Sequence, residues 1–419
     1  MSRSKISSTI LWSVISAAFI GPGTVTTAVS AGSQFQLQLL WAVVFATGAC
    51  IVLQEVSARI TIASGLTLGQ AMEKKFGTKK GFWIKWLVGG SVVLGCAAYE
   101  AGNILGGTAG LLLLFDGNGK IYTILLSLVA AAILWSGKGK CISAIMTILV
   151  GMMGIAFFAL ALYGDFSFLD LVKSSVVPSL PVGSELLTLG LVGTTIVPYN
   201  LFLGSGISKG QTIPLMRIGL SISVLIGGLI TTWILMAGTM VGSFSSFSEL
   251  ANEFQSKIGI IGTLALGIGL FAAGFSSAIT SPYAASMIAT SVFGAEKKST
   301  VRLVWGAVLL TGFIFGISGV KPIPVILTVQ ALNGLILPLI TGFLILIVND
   351  HTLIPESGRH SKWYNVILLA ILGCVLLIGL NNVDKAMVSA LKIEATHFNV
   401  VAITSALTTG YVGFLLWRK

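Results

Sequence analysis

The apolar residues gather into twelve long runs, roughly 9–33, 37–62, 82–114, 121–136, 141–163, 186–207, 216–243, 258–292, 301–318, 323–348, 363–381 and 399–417. Most are long enough for a helix to cross the ~30 Å hydrocarbon core of a bilayer. The pattern predicts an all-α, multi-pass membrane protein of about twelve transmembrane helices. Two runs are interrupted. The first carries Gly21-Pro22-Gly23-Thr24 near its middle, and the sixth carries Val197-Pro198-Tyr199-Asn200. Proline removes a backbone donor and crowds the preceding turn, and glycine favours unwinding. In lipid a broken helix survives only where the freed backbone is buried in protein or lines a cavity. Each break is therefore either a site or a proline kink that only shapes packing.

Two broken helices, each opening a block of five segments, point to an inverted-repeat secondary transporter with its substrate near the midplane between the breaks. The expected organisation is a first five-helix repeat over 1–170, a second, inverted repeat over 171–350, and two peripheral C-terminal helices over 351–419. The polar stretch 381–398 is expected to be a loop with a short surface helix.

Composition strengthens the membrane assignment. Of 419 residues, 55% are hydrophobic and 9% charged, with mean hydropathy +0.97; a soluble domain holds about 25% charged residues. The net charge of +11 raises the question of nucleic acid, and its distribution answers it. With the N-terminus in the cytoplasm, inner loops and tails hold 19 of the 25 Lys and Arg; the outer side holds Lys120, Lys173, Lys257, Lys321, Lys385 and Lys392. This is the positive-inside bias. It predicts a cell membrane protein with both termini cytoplasmic, prokaryotic in character, in contact with the lipid bilayer and not with nucleic acid. Cys50, Cys96, Cys141 and Cys374 lie far apart and read as buried free thiols. No nucleophile–base set, phosphate loop or cofactor fingerprint occurs, so neither an enzyme nor a cofactor is expected.

Few polar residues fall inside the runs, and those that do are candidates. Glu55 and Arg59 are four apart and can pair on one helix face near the inner boundary. Glu100 is a carboxylate within the third run, where such a group costs several kcal/mol and is either functional or paired. The hydroxyls of 272–282 either line a pathway or back-bond to their own helix. Gln330 and Asn333 share a helix face and need partners.

With those positions in view, segments 1 to 10 resemble the NRAMP family of proton-coupled divalent-metal transporters. That family has the broken-helix, five-plus-five inverted-repeat fold shared with amino acid–sodium symporters. Its first-helix motif Asp-Pro-Gly-Asn is matched by Gly21-Pro22-Gly23-Thr24, and its sixth-helix motif Met-Pro-His-Asn by Val197-Pro198-Tyr199-Asn200. Ser57-Ala58-Arg59, the 274–280 stretch, and Gln330 with Pro338 are similar as well. By this resemblance the family's metal-binding Asp, Asn and Met fall on Gly21, Thr24 and Val197, its motif His on Tyr199, and its proton-handling acids on Glu100 and Asn103.

The resemblance thus implies a transporter whose transition-metal ligands are absent, and no resident metal site is expected. A helix restarting after a break offers unpaired N–H groups and about half a positive charge, a ready anion site. With no carboxylate at Gly21, these groups suit a small monovalent anion, and a branch of NRAMP-related proteins without the metal motif resembles bicarbonate transporters. The expected substrate is bicarbonate. It would be held by Gly21, Gly23, Thr24, Thr27, Thr194, Thr195, Val197, Tyr199, Asn200, Gln330 and Asn333, with Glu100 and Asn103 coupling transport to H⁺ or Na⁺. The alternatives are a divalent cation, Mg²⁺ or Mn²⁺, held by hydroxyls and carbonyls; a small organic solute such as an amino acid; or a membrane sensor that transports nothing.

Overall fold

The computed structural model describes residues 3–294, 297–391 and 397–417. The side chains of 3–6, 78, 327–328, 330–335, 382 and 385–391 lie outside that description. Helix is the only regular structure among the described residues, with no strand. In order they form α1 (Arg3–Phe19), α2 (Pro22–Phe35), α3 (Leu40–Ser64), α4 (Leu68–Phe76), α5 (Thr78–Leu114), α6 (Gly119–Ser136), α7 (Gly139–Ala161), α8 (Phe168–Val176), α9 (Glu185–Thr195), α10 (Pro198–Ile207), α11 (Ile213–Gly238), α12 (Phe247–Ile258), α13 (Ile260–Phe293), α14 (Lys298–Ile317), α15 (Pro322–Val348), α16 (Lys362–Leu391) and α17 (Phe398–Trp417).

Every apolar run becomes a helix or a helix pair. The first and sixth become pairs, α1–α2 and α9–α10, each restarted by a proline at its first helical position. Among the described residues, ten helical stretches are long and apolar enough to span a bilayer, with two shorter apolar ones besides. Units that correspond across the two halves pack on each other: the broken pair α1–α2 on the broken pair α9–α10, crosswise, with α1 on α10 and α2 on α9, then α3 on α11, α5 on α13 and α6 on α14. This is the pairing a pseudo-two-fold inverted repeat produces. Close approach is bought by small residues: a methyl group on Gly274 of α13 would lie 2.2 Å from the Gly107 backbone nitrogen of α5. In lipid, where apolar burial gives no drive between helices, such backbone contact supplies the packing energy.

Three differences from the sequence reading stand out. Residues assigned to loops fold into the short helices α4, α8 and α12, opened by Thr67, Ser167 and Ser246, whose hydroxyls cap the third backbone N–H of each helix. The stretch beyond Asn381 is not a loop at its start: α16 continues to Leu391, and 392–396 lie outside the described residues. All four cysteines are free, but only Cys50 and Cys96 are buried; Cys141 and Cys374 are exposed.

Candidate functional site

Helix α1 ends at Phe19 and leaves its last carbonyls without partners from the next turn. Ile20 N still donates to Ser16 O at 3.1 Å, and Gly21 then takes an extended conformation (φ −102°, ψ 179°) as the cap of α2. Side chains from three other places close the freed carbonyls. Ser276 and Ser277 of α13 donate to Ala17 O at 3.2 and 3.4 Å, Tyr199 of α10 donates to Ala18 O at 2.8 Å, and Thr24 reaches back to Phe19 O. The Tyr199 bond ties one break to the other.

At the start of α2, Val25 N donates to Gly21 O at 3.1 Å. The N–H groups of Gly21, Gly23 and Thr24 precede that first helical bond, and Pro22 has none to give. The second break repeats the arrangement. Ile196 N closes α9 on Val192 O at 2.9 Å, Val197 caps α10 in an extended conformation, and Asn200 N donates to Val197 O at 3.0 Å. The α9 carbonyls from Gly193 to Ile196 follow the last helical bond and lie beside this cap.

Helices α5 and α13 wall the first break. A methyl group on Gly21 would sit 3.0 Å from Ser277 Oγ and 3.6 Å from Asn103 Oδ1. Asn103 Nδ2 in turn donates to Glu100 Oε2 at 3.2 Å. Glu100 is fully buried, and its Oε1 has no partner. Beside it, Tyr99 meets Tyr199 edge-on at 5.8 Å between ring centres, and its hydroxyl is unpartnered. Asn200 is also fully buried, with neither Oδ1 nor Nδ2 hydrogen-bonded. Unsatisfied buried amides and carboxyls are rare, and each one calls for a reason.

The structure therefore brings Gly21, Thr24, Tyr199, Glu100 and Asn103 around one junction. It adds Ser276, Ser277, Tyr99 and the carbonyls of 17–19, which the sequence reading left out of the site. The hydroxyl-rich 272–282 stretch was the available signal for the serines. Gly23 lies in the first turn of α2, and Thr27 and Val197 are buried. Gln330 and Asn333 lie on α15, but their side chains fall outside the described residues. Most of the described junction residues are buried, while Gly21, Gly23 and Tyr99 are half-buried.

One expectation is corrected. Thr24, Thr194 and Thr195 are not donors held ready for an anion. Thr24 gives its proton to Phe19 O, and Thr194 and Thr195 both donate to Leu191 O of their own helix, at 3.2 and 2.9 Å. Thr26 donates likewise to Pro22 O at 2.8 Å. A hydroxyl whose proton is committed offers lone pairs only. Among the described residues, no three His, Cys, Asp or Glu side chains come together.

Comparison with known proteins bears on this geometry. The family described as natural resistance-associated macrophage protein-like matches residues 13–383. A protein of Caldanaerobacter subterraneus subsp. tengcongensis named divalent metal cation transporter MntH is 24% identical over 362 residues, covering 82% of this chain and 85% of that one. A protein of the same name from Clostridium acetobutylicum is 26% identical over 345 residues, 78% of each chain. Among solved structures, a mutant of the Eremococcus coleocola manganese transporter superposes with a TM-score of 0.77 at 16% identity, covering 99% of this chain and 93% of that one. Mhp1, a nucleobase-cation-symport-1 family transporter solved in a closed conformation, gives 0.61 at 13% identity, covering 98% and 92%.

Proposed function

The chain belongs to the natural resistance-associated macrophage protein-like family and is a multi-pass secondary transporter, not an enzyme, and from that premise we propose that its substrate is a hard divalent cation, Mg²⁺ ahead of Mn²⁺, carried with part of its water shell. The observation that carries this reading is the committed hydroxyl protons of Thr24, Thr194 and Thr195, which leave neutral oxygen lone pairs at both breaks beside the freed α9 carbonyls. Mg²⁺ takes oxygen ligands and keeps several waters, so it tolerates a site with few charged groups. Mn²⁺ also accepts carbonyl and water oxygens and so stands second, whereas softer ions gain from imidazole, thioether or thiolate, and Gly21, Thr24, Val197 and Tyr199 offer none. The names of the relatives, divalent metal cation transporters, support the same class of substrate.

Bicarbonate, the substrate expected from the sequence, becomes the second reading. The names of the relatives given above do not support it, and Thr24, Thr194, Thr195 and Tyr199, among the side-chain donors assigned to it, are spent on carbonyls. One observation still favours it: the first-turn N–H groups of α2 face no carboxylate, because position 21 is glycine. Glu100, with Asn103, is proposed to bind the coupling ion, H⁺ or Na⁺; it is the acid nearest the junction. The division into repeats at 1–170 and 171–350 with a peripheral 351–419, and the cytoplasmic placement of both termini, rest on the symmetric packing and on the charge bias.

Purified protein in liposomes, supplied separately with Mg²⁺, Mn²⁺ and bicarbonate while internal pH is recorded, tests these readings. Mg²⁺ entry exceeding that of Mn²⁺ supports the proposal. Bicarbonate entry without either metal selects the second reading. Absence of all three fluxes from folded protein leaves an organic solute or a sensing role.

A further inference from the structure

A strongly basic cavity lies apart from the residues assigned to the junction. It has a volume of about 470 Å³ and opens between the end of α3, the start of α11 and the loop leading into α16. Its wall includes Arg59, Arg217, Arg359, His360, Ser361 and Tyr364, and no acidic residue lines it. The carboxylate behind the wall, Glu55, is already engaged: it accepts from Arg59, from Arg217 Nε at 2.9 Å and from the Tyr364 hydroxyl at 3.2 Å.

Those bonds leave donors free toward the cavity. Arg59 is spent, since its remaining nitrogen donates to Gly358 O at 2.7 Å. Arg217 uses only Nε, and its side chain is 53% exposed. The Arg359 guanidinium meets the carboxylate of the exposed Glu356 through one nitrogen, at 3.7 Å. His360 adds no donor in its neutral form: Nδ1 lies 3.0 Å from Ser361 O, which can only accept, so Nδ1 carries the proton, and Nε2, buried without a partner, donates only when the ring takes a second proton. The first turn of α11 adds backbone N–H groups with no capping side chain.

We propose that this cavity binds a phosphoryl oxyanion, and that its source is the headgroup of an anionic lipid. The terminal N–H groups that Arg217 and Arg359 keep beyond those contacts match the paired oxygens of a phosphodiester. The position favours lipid: the cavity lies where three spans end, beside Trp363, which is 79% exposed, and Lys362, the kind of aromatic and basic rim found at the bilayer interface. Basic pockets between span ends hold anionic headgroups in this way.

The test uses the full chain in detergent, incubated with phosphatidylglycerol or phosphatidylcholine and weighed by native mass spectrometry. The variants are Arg217→Gln, Arg359→Gln and, as a control outside the cavity, Lys138→Gln. Wild type and Lys138→Gln should retain phosphatidylglycerol in preference to phosphatidylcholine, and each arginine variant should retain about fivefold less. Arg217 also pairs with Glu55, so Arg359→Gln decides the matter if Arg217→Gln fails to fold. A parallel thermal-shift arm adds inorganic phosphate alone. Stabilisation by phosphate that vanishes in Arg359→Gln, without a lipid preference, upholds the oxyanion site and assigns it to a free anion. Equal retention of both lipids together with no Arg359-dependent effect of phosphate overturns the inference.

Discussion

Gly106 and Gly90 lie on the same helix, α5, and the structure assigns opposite outcomes to the same substitution at each. The Pro22 ring, which restarts the first broken helix, rests on Gly106: a methyl group there would lie 2.3 Å from both Cβ and Cγ of Pro22. Carbon atoms in contact sit ~3.5–4.0 Å apart, so the ring must withdraw by more than about 1 Å. It cannot do so by changing rotamer, because it is part of the backbone. Overpacking of this kind costs ~1–3 kcal/mol, and here the strain falls on the break itself. At Gly90 nothing lies within 4 Å of the new methyl group, and replacing glycine by alanine within a helix gains up to ~1 kcal/mol. The expected result is a lowered melting temperature and weakened flux for Gly106→Ala, and unchanged flux with equal or higher melting temperature for Gly90→Ala. Thermal unfolding in detergent and ion entry into liposomes, run on both variants, measure this. Wild-type flux and stability in Gly106→Ala would show that the seat of Pro22 on α5 does not shape the site.

Two further expectations concern charged groups. Burial raises the Asp350 carboxyl, but hydrogen bonds from Lys75 and Thr352 outweigh it and hold its pKa at about 2. A depressed carboxyl stabilises the fold above its unfolded pKa and loses that contribution as pH falls from about 4 toward 2. Asp350→Asn should therefore cost ~1–2 kcal/mol near neutral pH, discounted for partial solvent screening, and the gap in melting temperature between variant and wild type should narrow at pH 3. Glu100→Gln keeps an acceptor for Asn103 but cannot bind or release a proton, so it should abolish uptake against a gradient and spare exchange of substrate. Labelled-ion accumulation compared with counterflow separates the two, and accumulation at the wild-type level would remove Glu100 from coupling.

How much of this was legible in the sequence depended on how local each feature is. Both breaks could be read directly, because proline and glycine act on their own backbone, and Glu55 with Arg59 could be read because four residues make one helical turn. The partners that complete that ion cluster, Arg217 and Tyr364, lie 162 and 309 residues away, and nothing short of the fold brings them in. The short helices were missed because a search for long apolar runs passes over them, although Thr67 with Gln70 and Ser167 with Asp170 form capping pairs at the right spacing. The extension of α16 was hidden by Asn381, Asn382 and Asp384, whose polarity reads as loop. Most consequential was the direction of the threonine protons. A sequence shows that Thr24, Thr194 and Thr195 are present, but only the carbonyls within reach decide whether they donate outward or inward, and that decision moves the proposed substrate from anion toward cation.

Asn200→Leu tests the central claim, that the junction of the two breaks is a substrate site, most directly. Asn200 is fully buried with both side-chain polar atoms unpartnered. An amide in that condition costs stability unless a ligand satisfies it, and an apolar replacement of similar shape is neutral or stabilising. The measurement is Mg²⁺ entry into liposomes alongside thermal unfolding of the same preparation. The account expects flux to be lost while the melting temperature stays equal or rises. Wild-type Mg²⁺ flux in Asn200→Leu would contradict it, and a fall in flux and stability together would make Asn200 a structural residue.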